Sequence, residues 1–65
     1  MYGYGDKLRY LREEADLTLR ELGAKVRISY SELSQYETER RRPSDRSKLK
    51  LARFYGKSVQ ELFYS

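Results

Sequence analysis

Three times in this chain a small hydroxyl side chain is followed three positions later by glutamate. The units are Thr18-Leu19-Arg20-Glu21, Ser29-Tyr30-Ser31-Glu32 and Ser58-Val59-Gln60-Glu61. The hydroxyl can accept a hydrogen bond from the backbone N–H of the glutamate. The glutamate carboxylate can in turn accept from the N–H of the hydroxyl residue. Each unit thereby satisfies two of the amide groups that the first turn of a helix leaves without partners. Apolar residues flank two of the units, Leu17 with Leu22 and Ile28 with Leu33, where they can clamp the incoming chain against the first turn. Three such starts in 65 residues predict helices rather than strands, and an all-α domain.

The remaining elements follow from periodicity. Tyr4, Leu8, Leu11 and Ala15 recur at helical spacing and predict a first helix over 5–15, after a loose arm at 1–3. Asp16 ends it where Gly or Asn is more usual. The first two units predict helix 2 over 19–26 and helix 3 over 30–37. About three residues separate them, so short a link that the helices must cross steeply. Residues 38–42 read as a loop that leads into Pro43. Ser44 can cap helix 4 over 45–55, which Gly56 stops, and Ser58 opens a short fifth helix. No internal repeat or linker interrupts residues 1–65, so the expectation is one compact five-helix domain. A chain this short buries only ~60% of the surface its unfolded form exposes.

The chain has no cysteine and no histidine. Disulfides, thiolate metal sites and the commonest general base and zinc ligand are therefore absent. No nucleophile–base pair, metal cluster or glycine-rich phosphate loop stands in the sequence, so an enzyme is not expected and no cofactor is called for. No apolar run reaches membrane-spanning length and no signal-like segment opens the chain, which points to the cytoplasm. Residues 1–32 carry six basic and six acidic side chains. Residues 33–65 carry eight basic and four acidic ones, so the whole net charge of +4 lies there. Residues 38–53 alone hold seven basic and two acidic side chains. Charge concentrated in this way suits an anionic partner met by one face; the plain alternative is a solvated basic loop.

The stretch 18–37 is the informative one. Its apolar positions are Leu22, Val26, Ile28, Leu33 and Tyr36, which leaves Tyr30, Ser31, Ser34 and Gln35 on the other side of helix 3. A major groove, ~12 Å wide, admits one helix, and short polar side chains suit its base edges. Glutamine can pair with adenine through two hydrogen bonds, and serine can donate or accept. Tyr30 has no core to join at the start of helix 3, which favours a nucleic-acid contact over an idle aromatic.

In Leu17-Thr18, Glu21-Leu22, Ile28-Ser29, Ser31, Leu33-Ser34, Tyr36-Glu37, Arg41 and Pro43-Ser44 the chain resembles the Cro and lambda-repressor type of helix-turn-helix proteins, also called XRE-like. The resemblance spans roughly residues 4–63. It takes in Arg12, Leu51-Ala52 and the closing Val59-Gln60-Glu61-Leu62-Phe63. It implies a five-helix bundle that binds operator DNA, commonly as a dimer, to regulate transcription. It implies base reading by Tyr30, Ser31 and Gln35. It implies phosphate contacts by Thr18, Ser29, Ser34 and the run Arg40-Arg41-Arg42, and a structural ion pair between Arg12 and Glu37. Four departures stand out. Leu19 replaces a frequent Gln that touches the DNA backbone, Arg27 a frequent turn Gly, Gly23 a usual Ala, and Asp45 and Lys48 positions that are often apolar.

The expectation is therefore a prokaryotic or phage transcriptional repressor bound to double-stranded, palindromic operator DNA, with no membrane and no small-molecule substrate. These sixty-five residues leave no room for a separate effector or oligomerisation domain; if they are the complete chain, a homodimer is expected to form through helix 5 and the termini, and if they are a fragment, a partner domain is expected after Ser65. Leu19 either widens the apolar face of helix 2 or joins Tyr2, Phe63 and Tyr64 in that contact surface. The alternative is a helical protein-interaction module, an adaptor or antitoxin-like subunit that uses the same bundle. Leu19 mildly favours it and the arginine run disfavours it.

Overall fold

A computed structural model describes residues 3–64 as five helices: α1 (Tyr4–Glu14), α2 (Leu19–Val26), α3 (Tyr30–Glu37), α4 (Asp45–Tyr55) and α5 (Val59–Phe63). Helices α2, α3 and α4 have the boundaries their capping residues predict. Thr18 Oγ1 accepts from the Glu21 amide at 3.1 Å while the Glu21 carboxylate accepts from the Thr18 amide at 2.8 Å. Ser58 and Glu61 repeat this reciprocal pair at 3.0 and 2.9 Å. At Ser29 only half of the expected device forms. Ser29 Oγ accepts from the Glu32 amide at 3.2 Å, but the Glu32 carboxylate accepts instead from the Tyr36 hydroxyl one turn on, at 3.0 Å. A buried phenol needs a partner more than an exposed amide does.

The first helix differs by one residue at each end. Gly3 is its N-cap rather than part of a loose arm; Met1 and Tyr2 of that arm lie outside the described residues. Ala15, expected on the buried stripe, is exposed beyond the last turn, and Gly5 is buried in its place. The cause is Asp16, whose φ of 59° turns the chain left-handed. Its amide donates to the Glu13 carbonyl and the Leu17 amide to the Arg12 carbonyl, the paired bonds of a Schellman ending. Arg27 (φ 58°), Glu39 (φ 59°) and Gly56 (φ 66°) end α2, α3 and α4 similarly, with Ile28, Arg40 and Lys57 reaching back to Gly23, Gln35 and Ala52. Three of these four left-handed positions carry a side chain where glycine would be unstrained.

The core is Leu8, Leu22, Val26, Ile28, Leu33, Tyr36, Leu51, Ala52 and Leu62. Every apolar residue singled out between 18 and 37 is in it, and Leu19 packs against its edge, so Leu19 does widen the apolar face of α2. Helix α3 sits between α1 and α2, while α4 packs on α2 and α5, and α5 on α1. Glycine at position 5 permits the α1–α3 contact: a Cβ there would stand 2.3 Å from the Glu37 carbonyl oxygen. No helix among the described residues is long and apolar enough to cross a membrane.

Candidate nucleic-acid interface

Helix α3 is fixed from its inner side. Leu33 and Tyr36 are each 2% exposed. The Tyr36 hydroxyl, its one hydrogen given to Glu32, also lies 3.3 Å from the Ser47 hydroxyl of α4, from which its oxygen can accept, and burial pushes its pKa up. Glu37 closes the helix with a carboxylate that Arg12 grips by two bonds, Nε to Oε2 at 2.7 Å and Nη2 to Oε1 at 3.1 Å. The third Arg12 nitrogen, Nη1, donates to the Leu17 carbonyl at 2.8 Å. The Arg12 pKa is raised, chiefly by the hydrogen bonds to Glu37 and against the opposing effect of burial. One guanidinium thus ties α1, the entry to α2 and the end of α3 together. Tyr55 lies against this pair with a buried hydroxyl that has no partner among the described residues, and burial, then the charge of Glu37, pushes its pKa up to about 12.

Helix α3, so held, turns Tyr30 and Ser31 to the exterior, with Ser34 and Gln35 half-buried beside them. Ser31 and Gln35 lie four apart, on one side of the helix. Thr18 and Ser29 are exposed, each with its oxygen engaged by a cap bond; among the described residues the Ser29 hydrogen is left to donate, which suits a phosphate oxygen, while the Thr18 hydroxyl also serves the Glu21 carboxylate. The candidate residues therefore group at the α2 N-terminus, the α3 N-terminus and the outer side of α3.

The arginine run is joined to the other end of α3 through the backbone. The amides of Arg40 and Arg41 both donate to the Gln35 carbonyl, at 2.9 and 3.3 Å, and the Tyr4 hydroxyl donates to the Arg41 carbonyl at 3.3 Å. Pro43 is buried directly after the run. The backbone is thus anchored while Arg40, Arg41 and Arg42 are exposed, and none of them makes an ion pair among the described residues. The contrast with Arg12 is informative: one arginine is consumed by the fold, and three stand exposed without an ion pair among the described residues.

Two features escape sequence reasoning. The Arg20 guanidinium lies 4.1 Å from the centroid of the Tyr30 ring, which brings a cation to the start of α3 as well. Glu39 in the loop accepts from the Gly5 amide at 3.1 Å and caps α1 from 34 residues away. Neither pair has a spacing that a helix or turn rule recognises; the chain passes through other elements between the partners. With Arg20 at its start and Arg40–Arg42 after its end, an α3 about 12 Å long carries free cations at both ends of an exposed polar side. Among the described residues no acidic cluster is arranged to hold a metal ion.

No curated protein and no solved structure matches the chain. A family model described as helix-turn-helix matches residues 8–62, from α1 into α5. That match covers most of the chain and agrees with the five helices and the α2–α3 turn, and it carries DNA-binding transcription regulation as the family's general activity. The chain belongs to the Cro and lambda-repressor type, XRE-like family of helix-turn-helix proteins.

Proposed function

We propose that residues 1–65 act as one domain that binds double-stranded DNA sequence-specifically and represses transcription in the cytoplasm of a prokaryote or from a phage. Helix α3 enters the major groove. Ser31 and Gln35 face the base edges, with Tyr30 at the leading end. Thr18, Ser29, Ser34, Arg40, Arg41 and Arg42 take backbone phosphates. Phosphate contacts fix the register in which base contacts can specify. The observation that carries this reading is the pairing of an exposed polar side on α3 with unpaired arginines tied by the backbone to its C-terminal end.

A dimer on a palindromic site extends the reading. Tyr64, 56% exposed, and half-buried Phe63 leave aromatic surface at the end of α5 for a second copy; Tyr2 lies outside the described residues. Selection of bound sites from random duplex DNA tests both parts. A single enriched motif repeated as an inverted pair is the expected product. Recovery of no motif, with no salt-dependent retention of DNA, would instead leave a protein-interaction module.

A further inference from the structure

Arg20 is the second residue of α2, and its side chain leans over the face of Tyr30, the first residue of α3. At 4.1 Å from the ring centroid, the guanidinium has the stacked arrangement that arginine adopts on an aromatic face. Among the described residues the stack has no other partner. The neighbouring Glu21 carboxylate is engaged by the Thr18 amide, Arg20 makes no ion pair, and the Tyr30 hydroxyl makes no hydrogen bond among the described residues.

The pair forms one wall of an open concavity between α2 and the start of α3. The rest of the lining is Gly23, Arg27, Ile28 and Ser29. Gly23 is buried beside them, where a Cβ would stand 2.7 Å from the Ile28 carbonyl oxygen. The lining thus includes two arginines and a serine whose hydroxyl hydrogen is free to donate among the described residues, and no acidic residue. Such a set suits a tetrahedral oxyanion. A ring that restricts the guanidinium also lowers the conformational freedom it must lose on binding.

We propose that this concavity receives a DNA backbone phosphate, gripped by Arg20, and that Tyr30 acts as the platform holding Arg20 in place. Tyr30 is then a positioning residue, not the base reader that the family resemblance implies. The proposal rests on the DNA-binding reading above.

Binding is measured on duplex carrying the selected site, over a range of salt concentrations, with site selection repeated for each variant. Circular dichroism melting checks that each variant is folded. Arg20→Ala should flatten the log–log salt slope by about 0.9 without moving base preference. Tyr30→Phe keeps the ring, and should leave affinity within about twofold and the selected sequence unchanged. Tyr30→Ala should weaken binding, and the double variant should bind within about twofold of Arg20→Ala alone, because the ring acts through the arginine. Arg20→Lys keeps the charge without the planar stack, and should fall between wild type and Arg20→Ala.

Contrary results are distinct. A changed base preference in Tyr30→Phe would show that the hydroxyl reads DNA, and additive losses in the double variant would show two independent contacts; either overturns the proposal. An unchanged slope in Arg20→Ala, while Arg41→Ala flattens it, would overturn the proposal and leave the DNA reading standing. Absence of salt-dependent binding by the wild type would overturn both.

Discussion

An arginine side chain that is 13% exposed and a glutamate side chain that is 5% exposed face each other between α1 and α3. Two charges held this far from water are tolerated because each meets the other in bidentate geometry. Loss of either one strands its partner. Arg12→Ala or Glu37→Ala should each destabilise the fold by ~3–5 kcal/mol, read by denaturant unfolding; Arg9, 3.7 Å from Glu37 but 53% exposed, is too solvated to substitute. A loss under ~1 kcal/mol would mean that the pair is spectator to the packing. The left-handed residues behave differently from one another. Arg27 is exposed, its side chain makes no hydrogen bond among the described residues, and its backbone strain costs ~1–2 kcal/mol. Arg27→Gly should therefore raise the melting temperature by about 4–8 °C per kcal/mol recovered. Glu39→Gly relieves the same strain but deletes the cap on the Gly5 amide, so its melting temperature should not rise by as much. Equal increases in the two variants would contradict the capping role of Glu39.

Each helix here is short, and its ends supply much of its definition. The Glu21 pKa is lowered by the hydrogen bonds from the Thr18 backbone and side chain, and Glu61 is lowered likewise by Ser58. Groups whose folded pKa is depressed contribute stability above their unfolded value of about 4.3. That contribution is lost as pH falls through the folded pKa. The melting temperature of the wild type should accordingly drop on acidification below the ordinary carboxylate range. The double variant Glu21→Gln, Glu61→Gln keeps an acceptor at each box without a titrating charge, and should show a shallower drop. Parallel curves would assign the acid sensitivity elsewhere. The half-formed box at Ser29 makes the complementary point: the same four-residue pattern gives up one bond when a buried hydroxyl nearby competes for the glutamate.

The described residues extend 26 × 23 × 21 Å, so nearly every side chain is within one layer of the surface. In so small a body the division of labour among like residues is set by position. Arg12 is spent on the core, Arg20 on a ring, and Arg40, Arg41 and Arg42 on neither. Substitutions on the proposed interface should then separate into two kinds. Gln35→Ala should cost ~1–3 kcal/mol on the preferred site and little on random DNA, with the loss confined to one base position per half-site. Arg41→Ala should weaken every sequence alike and flatten the salt slope by about 0.9. Titrations at three salt concentrations on matched and random duplexes distinguish these patterns. A Gln35→Ala variant that weakens both duplexes equally would remove α3 as the reader.

The sequence by itself determined the five helices, the α2–α3 turn and the residues of its core. Capping, left-handed endings at Asp16 and Gly56, and the apolar period are rules of a few residues' range, and Thr18, Ser29, Ser44 and Ser58 obey them locally. The Arg12–Glu37 pair was also legible, but only through resemblance, because 25 residues separate the partners. What tertiary structure alone decided are contacts with no local period. Examples are Glu39 on the α1 N-terminus, Gly5 against the Glu37 carbonyl, and Arg20 on Tyr30. Each depends on the angle at which one helix crosses another. That angle is a property of the packed core as a whole, which no stretch of the chain specifies alone.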